Sequence, residues 1–123
     1  MTIKNILIVD DEKEVRDIIA DIFQFEGYEV RTAGNGLEAF KVMNEFTPDL
    51  IVSDIIMPEC DGLALFREIA RQYLPPIPMI FISGYVGTVI IDELKNKENF
   101  VAIFSKPLEI EEILKKIEEL KNS

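Results

Sequence analysis

The sequence predicts an α/β fold of the flavodoxin-like, doubly wound kind: five parallel strands in the order 2-1-3-4-5, with helices on both faces. Three observations predict it. Short apolar runs recur at Ile6–Val9, Leu50–Ser53, Met79–Ser83 and Val101–Phe104, as expected of strands buried on both sides. Stretches with apolar residues at helical spacing separate these runs. Strands that alternate with helices imply right-handed crossovers, hence a parallel sheet covered on both faces.

Taken in order, Ile6–Val9 leads into a helix over Glu14–Phe25, with Val15, Ile18, Ile19, Ile22 and Phe23 as its inner face. Gly27 ends that helix. Glu29–Ala33 is shorter and more polar and suits a sheet edge. A second helix spans Leu37–Glu45, with Leu37, Phe40, Val42 and Met43 inward, and Pro48 introduces the third strand. Leu63–Gln72 reads as a third helix with Leu63, Phe66, Ile69 and Ala70 inward. Leu74-Pro-Pro-Ile-Pro78 cannot be helical and marks the crossover to strand four. A short fourth helix is expected near Thr88–Lys95. The last, Glu109–Leu120, carries a stripe of Ile110, Ile113, Leu114, Ile117 and Leu120. Residues 1–123 read as one domain, without internal repeat or linker.

Composition narrows the function. With 48% hydrophobic residues the chain is expected to fold, and no apolar stretch approaches the ~18 residues of a membrane span. Met1-Thr-Ile-Lys-Asn5 runs directly into a strand, which predicts no secretion leader. The single cysteine, Cys60, excludes an internal disulfide, fits a reducing cytoplasm and reads as an inert loop thiol. A net charge of −10 argues against direct nucleic-acid binding and favours cations or basic partners. The chain has no histidine, which excludes a histidine metal site, a Ser-His-Asp triad and a phosphohistidine carrier within it.

Ligands of an open parallel sheet collect outside the carboxyl ends of its strands. Asp10 and Asp11 end the first strand, Asp54 the third, Ser83 the fourth and Lys106 the fifth. Two unit charges ~5 Å apart repel by roughly 3 kcal/mol at an effective dielectric of ~20, so three carboxylates together require compensation. A hard, oxygen-preferring Mg²⁺ supplies it, and Lys106 adds a flexible point charge. An ionised Asp in such a place can act as nucleophile toward phosphorus. The blander alternative is capping: Asp10 or Asp11 at the first helix and Asp61 at the third.

The whole set resembles the receiver domain of two-component response regulators, the CheY-like group, over nearly the entire chain. The motifs are Asp10-Asp11, Asp54 in Ser53-Asp-Ile-Ile-Met-Pro58 with Asp61-Gly62 beyond, Ser83, and Lys106-Pro107. The resemblance implies Asp54 as phosphoacceptor, Ser83 as switch hydroxyl and Lys106 as phosphate partner. It further implies Mg²⁺ or Mn²⁺ held directly by Asp11 and Asp54 and by the backbone carbonyl of Ile56, with Asp10 acting mainly through metal-bound water. A cis Lys106–Pro107 bond is implied too. The phosphodonor would be a sensor histidine kinase or histidine phosphotransfer protein docking on the first helix. The output would pass through the face of the fourth helix, fifth strand and last helix to a downstream protein or output domain; a phosphorylation-dependent homodimer stays open.

One departure concerns the switch. The family usually has an aromatic residue three positions before the lysine; here that position is Ile103, with Phe104 next to it on the opposite face. Ile56 and Tyr85 flank the entrance for attacking water, and neither can orient it, which predicts a long-lived phosphoryl group. Two rivals remain. A phosphatase of haloacid-dehalogenase type would need an Asp-x-Asp nucleophile on strand one. A pseudo-receiver that binds partners without phosphorylation is at odds with the intact acid set.

Overall fold

The computed structural model describes residues 1–57, 59–84 and 92–123. Five parallel strands form one sheet in the order β2-β1-β3-β4-β5: β1 Asn5–Val9, β2 Glu29–Ala33, β3 Leu50–Asp54, β4 Met79–Ser83 and β5 Phe100–Ser105. Helices α1 (Lys13–Phe25), α2 (Gly36–Met43) and α3 (Gly62–Gln72) lie in the crossovers, and a last helix (Ile110–Lys121) follows β5. Residues 92–94 are also helical; the start of the expected fourth helix, with Tyr85, lies outside the described residues. Among the described residues no helix is long and apolar enough to cross a membrane.

Strand alternation splits the interior into two cores. Leu7, Val9, Ile51, Met79 and Phe81 face α2, α3 and Leu94, while Ile6, Ile8, Leu50, Val52, Ile80 and Ile82 face α1 and the last helix. Every residue of β3 and β4 is buried, which is why these strands read as continuous apolar runs. β2 and β5 are the edges. A register shift at Met79/Ile80 leaves Val101 as the extra residue of β5, so Phe100 and Ile103 share the α3 side while Val101 and Phe104 share the other. Phe100 stacks on Phe81 with ring centroids 6.2 Å apart, and Phe66 meets Phe81 edge-on.

Gly27 closes α1 at φ +99°; its amide donates to the Gln24 carbonyl and the Tyr28 amide to Phe23. Three expected core positions are corrected. Ile18 is 58% and Leu37 52% exposed, and Ala70 is exposed while Leu65 is buried. Ile18 and Leu37 sit at the margins of their apolar stripes. In α3 the inward arc is Gly62, Leu65, Phe66 and Ile69, because Gly62 rather than Leu63 rests on the end of β3. The two ends of the chain meet, the Met1 ammonium donating to the Ser123 carbonyl at 3.3 Å.

Candidate functional site

The ends of β1, β3, β4 and β5 bring together the residues that the sequence singled out. β1 lies between β2 and β3, which sets Val9 beside Ser53 and so Asp10 beside Asp54. β5 is tied to β4 at its last rungs, with Ser83 opposite Ser105 and the Lys106 amide donating to the Ser83 carbonyl at 2.8 Å. Lys106 is thereby carried to the mouth of the acid cluster. Its Nζ lies 2.8 Å from Asp54 Oδ2, 3.2 Å from Glu12 Oε1 and 3.5 Å from Asp10 Oδ2. The Lys106–Pro107 bond is cis, as is Leu74–Pro75.

Asp10 is fully buried and Asp54 nearly so, whereas Asp11 and Glu12 are exposed. Carboxylate oxygens of all four lie within 4.8 Å of one another. The two oxygens of Asp10 do different work. Oδ1 accepts from the Glu12 amide at 2.8 Å and shapes the turn into α1, so the capping alternative holds for that oxygen. Oδ2 is buried and has no hydrogen-bond partner among the described residues. Asp61 is a plain helix cap, its Oδ1 accepting from the Ala64 amide at 2.8 Å.

A buried carboxylate oxygen without a hydrogen bond is costly unless something answers it. Burial, above all, holds the Asp10 carboxyl above the ordinary carboxylate range; the Glu12 amide and Lys106 pull it down and Asp54 adds to the rise. For Lys106, burial works against the charge, but the hydrogen bond to Asp54 and the charge of Asp10 outweigh it and raise the ammonium above the ordinary lysine range. An acid-rich pocket whose buried Asp10 oxygen has only the longer 3.5 Å ion pair with Lys106 fits a hard divalent cation with oxygen ligands. Asp10, Asp11 and Asp54 could hold it.

A stability prediction follows. The folded-state value of Asp10 lies above the unfolded one, so its ionisation opposes folding above the folded value, and that cost fades as pH falls through it. Asp10→Asn removes the cost at neutral pH and keeps an acceptor for the Glu12 amide. In EDTA, the melting temperature of Asp10→Asn at neutral pH is expected to lie above that of wild type, with the difference shrinking as pH falls. A lower melting temperature would contradict this account.

Asp54 is held from both sides. Its Oδ1 accepts from the Ile55 amide at 2.7 Å and its Oδ2 from Lys106. The Ser53 hydroxyl donates to the Asp54 carbonyl at 2.8 Å. Gly62 makes this approach possible: its amide donates to the Ile55 carbonyl at 2.8 Å, and a Cβ there would collide with the Asp54 carbonyl oxygen. Ser83 is buried at the end of β4 beside the cluster. Ile56 is 61% exposed, at the rim. Cys60 packs against Gly36, and burial foremost raises its thiol, in keeping with an inert role.

Glu12 was not among the expected site residues. Its place directly after Asp10-Asp11 was the one available signal, and an acid at a helix start is ordinarily read as a partner of the helix dipole. An apolar groove opens beside it, lined by Val15, Ile18, Ile19, Pro107, Leu108 and Ile110.

Residues 6–118 match the family described as the response regulator receiver domain. The chain is 34% identical over 117 residues to the sensor kinase CckA of Brucella abortus, covering 94% of this chain and 12% of that protein. It is 38% identical over 91 residues to a putative response regulator of NtrX-like type from Rickettsia bellii, covering 72% of this chain and 19% of that one. The chain thus spans less than a fifth of the length of either relative. Among solved structures, the CheY-like receiver domain protein of Methanospirillum hungatei superposes with a TM-score of 0.85 at 30% identity, over 96% of this chain and 93% of that one.

Proposed function

Because the chain belongs to the response regulator receiver family, we propose that it accepts a phosphoryl group onto Asp54 from the phosphohistidine of a partner protein, with Mg²⁺ bound among its acids. The observation that supports this best is the convergence of Asp10, Asp11 and Asp54 with Lys106, around a buried Asp10 oxygen that has no hydrogen bond among the described residues.

An Asp54 oxygen forms the new bond to phosphorus as the phosphorus–nitrogen bond breaks, and the imidazole leaves with that electron pair. Phosphoryl transfer asks chiefly for positioning and charge neutralisation. Asp54 is positioned by the Ile55 amide, and Lys106 neutralises charge at Oδ2. The Ser83 hydroxyl donates to a phosphoryl oxygen. Asp11, Asp54 and the Ile56 carbonyl would hold the Mg²⁺ directly and Asp10 through a water, and the ion would supply charge neutralisation at the phosphoryl oxygens. Mn²⁺ meets the same donors.

Residues 1–123 hold no histidine, so the phosphodonor lies outside them, on a sensor histidine kinase or histidine phosphotransfer protein. The groove beside α1 is the surface on which it docks, with exposed Ile18 as an apolar contact. Output passes through residues 92–94, β5 and the last helix to a downstream protein or output domain, or to a second copy. Residues 1–123 act as one cytoplasmic receiver unit. Intact mass after incubation with phosphoramidate tests the reading: one adduct is expected with Mg²⁺ and none with excess EDTA. Sustained turnover of varied phosphomonoesters would favour a phosphatase.

The aliphatic, exposed Ile56 cannot orient water toward the phosphoryl group. Ile56→Asn supplies an amide there, and its acyl phosphate is expected to decay faster than wild type, because an oriented water loses less freedom in reaching the phosphorus. Slower decay in the variant would contradict this.

A further inference from the structure

Glu12 is the one acid of the cluster that pairs with Lys106 from the solvent side. Its side chain is 61% exposed, against 0% for Asp10 and 7% for Asp54, the other two partners of Lys106. Lys106 thus stands between two buried carboxylates and one at the rim. This arrangement answers the negative charge of the pocket while no other cation is there.

A divalent cation among Asp10, Asp11 and Asp54 changes the balance. It engages the carboxylates that Lys106 shares inside the pocket, and it repels the ammonium. Glu12 is the carboxylate partner left outside. We propose that Glu12 is a positioning residue that takes over Lys106 when the divalent cation binds, keeping the ammonium at the pocket mouth where a phosphoryl group arrives. The inference rests on the receiver reading above and adds to it a fourth acid with a role of its own. In the metal-free protein the Glu12–Lys106 pair is one of three, whereas with the cation bound it is the main one. Removing Glu12 therefore costs more in the bound state and weakens cation binding. Lys106 then has nowhere to retreat and competes for Asp10 and Asp54.

Charge alone would also weaken binding on loss of Glu12, and Lys106 separates the two causes. If Glu12 acts by simple attraction, its loss matters more without Lys106, because the carboxylate is then unneutralised. If it acts through Lys106, its loss matters less. The experiment is a double-mutant cycle on the unphosphorylated full chain, with Mn²⁺ as probe and free Mn²⁺ read by electron paramagnetic resonance. Glu12→Gln is expected to raise the Mn²⁺ dissociation constant about fivefold in the wild-type background and by less than about twofold in Lys106→Met, a coupling within the usual range for contacting residues. An equal or larger effect in Lys106→Met would overturn the proposal, as would no effect in wild type. If wild type itself takes up no Mn²⁺, the metal-dependent receiver reading fails and the role of Glu12 falls with it.

Discussion

In Asp54→Asn, incubation with phosphoramidate and Mg²⁺ is expected to leave the intact mass unchanged, while the wild-type chain gains a single phosphoryl group. The amide keeps the shape of the side chain and an acceptor for the Ile55 amide, so the fold should persist. What it loses is the nucleophile: an amide oxygen cannot displace the leaving group, and among the described acids it is Asp54 that combines the shortest pair with Lys106 and an amide hydrogen bond to its other oxygen. Asp10 is buried, but one of its oxygens is spent on the turn into α1. Asp11 and Glu12 are exposed and lack the double hold. The substitution also removes the shortest ion pair of Lys106. Phosphorylation should therefore fall to background, with no transfer to a neighbour. An adduct of undiminished yield in Asp54→Asn would move the acceptor elsewhere and undo the assignment.

Gly62→Ala should be the most damaging glycine-to-alanine substitution among the described residues. A methyl group there meets the Asp54 carbonyl oxygen and the Ile55 backbone, at the end of a strand flanked on both sides by β1 and β4. Nothing flexible can give way. Overpacking against backbone is expected to cost about 3 kcal/mol, or roughly 10 °C in melting temperature. Asp61→Ala, one residue earlier, removes only the helix cap and should cost about 1 kcal/mol. Denaturant midpoints of the two variants test the difference. If Gly62→Ala proves no worse than Asp61→Ala, the close approach of α3 to β3 is not the constraint described here. Phosphorylation of Gly62→Ala should also slow, because relief of the collision displaces the backbone that carries Asp54.

The sheet was legible because its central strands are buried on both faces and spell that burial as unbroken apolar runs. The site was legible for a related reason: a parallel sheet collects its strand ends, so Asp10, Asp54 and Lys106 could be grouped without knowing any distance. Helix faces were read less well. Periodicity locates a stripe but not its margins, so Ile18 and Leu37 were placed inward although each is more than half exposed. In α3 the error was one of rotation, since a glycine carries no hydrophobic signal even where, as at Gly62, it sets how the helix sits. Glu12 escaped because its importance lies in reaching a lysine 94 positions away, which only the order of the strands reveals. Ile103 was read correctly as facing away from Phe104, and the bulge in β5 places Phe100 on the Ile103 side.

The meeting of Met1 with Ser123 makes the chain nearly a closed ring. Joining the two ends by a short linker and reopening the backbone elsewhere would rearrange connectivity without touching the strand ends that carry the acids. Leu74, 98% exposed in the turn after α3, marks a suitable place to cut. A circular permutant opened there would begin with β4 and end with α3, and would gain the same phosphoryl group on the same aspartate.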